Sequence, residues 1–144
     1  MFSKSCEYAI KASIYLAQQR EIGKYIGVKE IAKGIQAPEF FVAKILQELS
    51  RKKIILSVKG PNGGFSMTDA QMNKPIIDIV QLIDGDGLLN NCVLGLDQCS
   101  NIHPCPMHNE YLKIKQSLKN MLEKNTILDF NIMVSNKKAI LFLP

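Results

Sequence analysis

The sequence predicts a mainly α chain with one small β-hairpin. Three observations carry that prediction. Apolar residues recur at helical spacing over residues 3–19, 38–52 and 108–124. The period turns strand-like at only one place, residues 54–67, where the turn-rich run Gly60-Pro61-Asn62-Gly63-Gly64 divides two short β-prone stretches. The hairpin follows two helices joined by a tight turn, and helix, turn, helix, then a glycine-tipped hairpin is the order of a winged helix-turn-helix.

The first helix is read over residues 3–19, with Cys6, Ala9, Ile10, Ile14 and Ala17 on its apolar face, Ser3 as N-cap and Gly23 ending the segment. Residues 28–34, VKEIAKG, form a short helix closed by Gly34. After the turn Ile35-Gln36-Ala37, Pro38 suits the first turn of the next helix, which runs to about Lys52. Phe41, Ile45 and Leu49 line its inner stripe beside Val42 and Leu46, while Lys44, Glu48 and Arg51 lie on another face. The hairpin runs from Ile54–Val58 to Phe65–Met67 with Lys59 at its shoulder. Residues 76–84 make a short apolar helix broken by Gly85 and Gly87. A cysteine-bearing loop fills about 88–107, and a long helix extends from Met107 or His108 to about Lys124, stopped by Asn125. Thr126 and Asp129 have the spacing of a helix cap for a last short helix, and the tail AILFLP is apolar, suited to a partner subunit or to its own domain. The expected organisation is a DNA-binding unit over 1–84, a cysteine loop over 85–107, and a helix with tail over 108–144.

The chain has 144 residues, 47% of them apolar, which suits one globular domain with an extension. A formal charge of +5 favours an anionic partner, and the excess is concentrated. Residues 44–59 hold Lys44, Arg51, Lys52, Lys53 and Lys59 against the single acid Glu48. There is no signal-peptide pattern, and no apolar run approaches the roughly 18 residues that suggest a membrane span. The expectation is a cytoplasmic protein whose thiols stay reduced. An enzyme is disfavoured: the sequence offers no nucleophile–base pair, no plausible carboxylate pair and no nucleotide motif. GPNGG lacks the lysine and hydroxyl of a phosphate-binding loop and leads into a strand. No small-molecule substrate is expected.

Three of the four cysteines stand in NNCVLGLDQCSNIHPCPMH, spaced C-x6-C-x5-C-x2-H through Cys92, Cys99, Cys105 and His108. Thiolates suit iron–sulfur clusters or zinc. Structural zinc sites usually contain a short C-x2-4-C knuckle, which is missing. A disulfide is disfavoured by compartment and leaves one loop cysteine over. A thiol switch and a loop without a role stay open beside the cluster. Cys6, on the apolar face of the first helix, reads as a core residue. His103 fits no ligand pattern and is expected at the surface.

The opening SCEYAIKASIYLA, the stretch VKGPNGGF and the three loop cysteines, in that order, resemble the IscR/NsrR-type winged-helix transcription regulators of bacteria over about residues 1–130. The resemblance implies a homodimer paired mainly through the long helix, a near-palindromic double-stranded DNA operator, and an iron–sulfur cluster whose state alters DNA affinity. Cluster type, 2Fe–2S or 4Fe–4S, stays open. The fourth ligand has two candidates. His108 stands at the spacing of the IscR-type histidine, and Glu7 stands where NsrR-like members carry an acidic residue that reaches across the dimer; His108 is favoured. Clusterless, CymR-like members supply the alternative of thiol oxidation or a protein partner.

In a winged helix the second helix of the pair offers its N-terminal residues to the major groove. Those are Glu39, Phe40 and Lys44, with Phe41 expected in the core. Glu39 suits cytosine N4; Phe40 suits thymine methyls or, equally, core packing. Lys44, Arg51, Lys52 and Lys53 suit phosphates, and Lys59, Asn62 and Gly63 form the wing's contact to the minor groove or its rim. Ser3 and Lys4 stand where a helix start can hold a phosphate.

Overall fold

A computed structural model describes residues 1–20 and 24–144. Its helices are α1 (Lys4–Gln18), α2 (Val28–Gly34), α3 (Glu39–Arg51), α4 (Asp69–Met72), α5 (Ile76–Asp84), α6 (Gly87–Asn90), α7 (His108–Lys124) and α8 (Ile127–Ser135). Strands β1 (Leu56–Val58) and β2 (Gly64–Ser66) pair antiparallel, with Ser57 opposite Phe65. The predicted class, mainly α with a hairpin wing, is the one observed. Gly23, expected to end the first helix, lies outside the described residues; α1 stops at Gln18, and the Gln19 N–H donates to the Tyr15 carbonyl at 3.0 Å. The short helices α4 and α6 were not expected. The first has a readable signal: Thr68 and Gln71 form a reciprocal capping box.

The core gathers the inner faces of α1, α2, α3, α5, α7 and α8. Cys6, Ala9, Ala12 and Leu16 of α1 pack with Ile31, Val42, Leu46, Leu49, Ile76, Ile79, Leu122 and Ile127. Small residues on the α1 face let three helices approach it, and α1 packs on α3, α5 and α8. The boundaries expected after 84 and 107 coincide with the end of α5 and the start of α7. They do not divide the core, which includes Leu122 and Ile127 of the last segment. Backbone bonds from Ile76 to Asn125 (3.0 Å) and from Ile127 to Lys74 (3.2 Å) join the two helix corners.

Four local expectations are corrected. Gly34 is the last residue of α2, and the left-handed conformation falls on Gln36 (φ 53°). Gly34 is needed for another reason: a Cβ there would overlap the Tyr15 ring. Pro38 is the N-cap of α3, with its first helical residue at Glu39. Phe41 is not in the core but 51% exposed, because Val42, Ile45, Leu46 and Leu49 supply the buried stripe and leave residue 41 on its edge. In the hairpin, Ile54 and Ile55 are buried ahead of β1, so the strand begins two residues later than its β-prone composition suggests. No described helix is long and apolar enough to cross a membrane.

Candidate DNA interface and cysteine site

The turn between α2 and α3 is closed by the Ala37 N–H donating to the Ala32 carbonyl at 3.0 Å. With its apolar stripe buried, α3 turns Glu39, Phe40, Phe41, Lys44 and Arg51 to solvent. Phe40 is 66% exposed and meets Phe41 edge to face, ring centroids 5.9 Å apart. The Lys44 ammonium stands 4.4 Å from the Phe40 ring centre. The helix start is thus an apolar pair with a cation against it. Arg51 lies 3.7 Å from Glu48, and Lys52 and Lys53 are exposed just beyond.

The wing projects Lys59 and Asn62 into solvent, and the Gly63 N–H closes its turn on the Gly60 carbonyl at 2.9 Å. Ile26 bridges Phe65 through two backbone bonds of 2.9 and 2.8 Å, fixing the hairpin to the body. At the start of α1, Ser3 caps the Cys6 N–H, while its own amide and hydroxyl both donate to Asp84. Lys4 pairs with Glu7 at 2.9 Å. Ser3 therefore has its donors engaged beside a carboxylate, a poor place for a phosphate.

The cysteine loop leaves α6 and returns to α7 with its donors in two couples. Cys99 Sγ lies 3.5 Å from His108 Nδ1, and His108 Nε2 lies 2.7 Å from Asn101 Oδ1. Asn101 Oδ1 only accepts, so Nε2 donates to it and Nδ1 is the ring nitrogen that faces the sulfur. His108 is 5% exposed although it begins a helix. The second couple is Cys92 and Cys105. The backbone amides of Leu96 and Leu94, then the Cys105 thiol and the Gly95 amide, hold the Cys92 thiol below its ordinary range against the opposing effect of desolvation. Among the described residues no three His, Cys, Asp or Glu side chains converge as one ion would need. A cleft of about 510 Å³ separates the loop from the start of α1, with Ser3, Asp84, Asn91, Cys92 and Tyr111 on its walls. Within the chain Glu7 contacts Lys4, which holds its carboxyl below the usual range. Cys6 belongs to the core; burial, then Asp84, push its thiol up to about 12.

Residues 2–131 match the Rrf2 family, described as iron-dependent transcriptional regulators. The chain belongs to the Rrf2 family. A protein of Aquifex aeolicus named as a candidate HTH-type transcriptional regulator is 34% identical over 131 residues, 90% of each chain. The HTH-type transcriptional regulator NsrR of Oceanobacillus iheyensis is 23% identical over 97% of this chain and 93% of its own. Among solved structures, CymR, the global cysteine regulator of B. subtilis, superposes with a TM-score of 0.73 at 17% identity, over 92% of this chain and 96% of its own. IscR of T. potens superposes at 0.72 with 16% identity, over 97% and 92%. At such identities the two structures speak for the winged-helix fold alone. The Rrf2 membership makes this chain a transcriptional regulator, and the matched proteins are regulators, not enzymes.

Within this Rrf2 regulator, sequence reasoning missed Asn101 and Lys115. Lys115 is 5% exposed, and its ammonium donates to the Asn91 carbonyl at 3.0 Å and to Cys99 Sγ at 3.3 Å. A signal existed for it: His108, Tyr111, Lys115, Leu118 and Leu122 follow the inward stripe of α7, and a lysine interrupts that stripe. Asn101 had none, because a loop asparagine has no periodicity. His103 is exposed.

Proposed function

We propose that this chain is a DNA-binding regulator whose operator affinity is set by a labile iron–sulfur cluster on Cys92, Cys99, Cys105 and His108. The observation that carries this is His108: buried, with one ring nitrogen fixed by Asn101 and the other facing Cys99. Metal-bound histidines are oriented by such a partner on the far nitrogen. The two couples, Cys99 with His108 and Cys92 with Cys105, bring together thiol and imidazole donors of the kind that iron–sulfur centres take. The family description, iron-dependent, points the same way. Glu7 stays the rival ligand, reaching the loop of a second copy. When bound, the cluster supplies an oxidant- and nitric oxide-sensitive centre, with its weakest hold at the non-thiolate ligand.

The chain's own residues do the rest. Asn101 holds the His108 tautomer, and the amides around Cys92 favour the charged sulfur that metal ligation requires. Glu39, Phe40 and Lys44, joined by the exposed Phe41, meet base edges in the major groove. Arg51, Lys52 and Lys53 meet phosphates, and Lys59, Asn62 and Gly63 follow the wing to the minor groove. Lys4 can add a phosphate contact, with its charge already shared with Glu7. A homodimer through α7 places two such surfaces on a near-palindromic operator in the cytoplasm.

Anaerobic purification followed by an absorption spectrum and iron and sulfide analysis tests the reading. Visible charge-transfer bands with matched iron and sulfide are expected. His108→Ala should destabilise the cluster towards chelators, whereas Glu7→Ala should leave it close to wild type; the reverse order would make Glu7 the ligand. A colourless protein would discard the cluster. It would leave thiol oxidation as the second reading, which the lowered Cys92 thiol beside Cys105 favours and its burial opposes.

A further inference from the structure

The most unusual side chain outside the four donors is Lys115. A lysine is almost never fully buried unless it is paired, since removing an ammonium from water is costly. Lys115 is buried in the middle of α7, where an apolar side chain would complete the stripe with Leu118 and Leu122. Its ammonium has three neighbours: the Asn91 carbonyl, the Cys99 sulfur, and the Tyr111 ring with its centre 5.5 Å away. Among the described residues no carboxylate lies within ion-pair distance of it. A carbonyl and a ring face attract a cation but carry no net charge. Of the three neighbours, the sulfur is the one that most readily takes a full negative charge near neutral pH. The ammonium also spans the loop, because Asn91 precedes Cys92 and Cys99 follows seven residues later. One side chain therefore ties two cysteine-bearing stretches to α7.

We propose that Lys115 is a positioning residue of the cysteine site, one that anchors Cys99 to α7 and supplies the positive charge against which the ligands are held. The inference rests on the cluster reading above and goes beyond it, since Lys115 lies in none of the motifs that suggested the site. Hydrogen bonds to ligand sulfurs and the net charge nearby are two of the levers that set a cluster's reduction potential. A cation donating to Cys99 favours the more negatively charged, reduced state. It also restrains a loop that has no regular structure between α6 and α7. A filler role would need only a long apolar side chain; methionine has the length and lacks the charge.

The test compares Lys115→Met and Lys115→Gln with the wild-type full chain, all loaded anaerobically. Methionine keeps the length of the lysine stem and suits the apolar stripe of α7, so Lys115→Met should fold, as circular dichroism will show. The midpoint potential of the cluster is the deciding readout, since a filler role would not move it. Lys115→Met should disfavour reduction about tenfold, which lowers the midpoint by about 59 mV for a one-electron couple. Lys115→Gln, keeping a donor without the charge, should fall between, and both should bleach several times faster in a chelator. Folded variants that take up no cluster would also support the positioning role. A loaded Lys115→Met with wild-type midpoint and bleaching rate overturns the role of Lys115 and leaves the cluster standing. A wild type that takes up no iron or sulfide overturns the cluster first, and the role of Lys115 with it.

Discussion

Gly64 has a φ of 143°, and a Cβ there would come within 2.6 Å of the Ile26 carbonyl oxygen. The obstacle is backbone already bonded to Phe65, so it cannot swing aside as a side-chain tip would. Gly64→Ala should therefore cost about 2 kcal/mol or more, read as a fall in the urea unfolding midpoint. A variant as stable as wild type would mean that the wing is not held by the Ile26–Phe65 bridge. Lys59 is exposed on the wing shoulder, and the role proposed for it lies in binding, not folding. Lys59→Ala should weaken operator binding and reduce the salt slope by about one unit, as expected for one lost phosphate contact. Unchanged affinity across a salt series would remove Lys59 from the DNA footprint.

Helix ends are the next scale, and α8 shows how one is fixed. The Thr126 hydroxyl accepts from the Asp129 N–H at 3.1 Å, and the Asp129 carboxylate accepts from the Thr126 N–H at 2.8 Å. The Thr126 backbone N–H first, then its hydroxyl, hold the Asp129 carboxyl below its ordinary 3.8. A lowered carboxylate stabilises fully above the unfolded value and loses that contribution as pH falls through the folded one. Asp129→Asn should thus be less stable than wild type near neutral pH, with the difference shrinking below about pH 3.8. Thermal midpoints at neutral and acid pH measure it. A gap independent of pH would mean that the carboxylate charge adds nothing to the cap. The same capping logic made α8 readable, whereas α4, with the equivalent Thr68–Gln71 pair, was lost in the wing's turn-rich surroundings.

For the whole molecule, the outward face of α7 has the most consequence. Leu112, Ile114 and Met121 are each about half exposed, and a shallow groove of Ile114, Ser117 and Met121, with the half-buried Leu118 of the inward stripe at its edge, continues to Met1. An apolar row of this extent on a charged helix suits a second copy of the chain. Ile114→Glu should shift a wild-type dimer to monomer in sedimentation and weaken binding to a two-half-site operator far more than to one half-site. A wild type that sediments as a monomer at micromolar concentration would remove the dimer. The inner face of the same helix carries His108 and Lys115, so the cysteine site and the proposed partner face are two sides of one rigid rod. The tail from Ala139 packs in part on its own chain, meeting Tyr15 and Gly34 across an apolar cavity, while Ile140 and Leu143 stay exposed.

The sequence by itself determined the helices with strong periodicity and clear caps, the hairpin between them, and the cysteine spacing, because each is written in residues close along the chain. Val28–Gly34, Ile76–Asp84 and His108–Lys124 are such elements. Only the tertiary structure decided which side chains became buried and which donors paired. Phe41 went outward because Val42 and Ile45 already filled the space under α3. Lys115 and Asn101 joined the site because a loop without periodicity folded back over α7, bringing Lys115 to Cys99, sixteen residues away, and Asn101 to His108. Local patterns fix elements through short-range sterics and hydrogen bonds; burial and charge pairing depend on contacts that exist only after the chain has closed on itself.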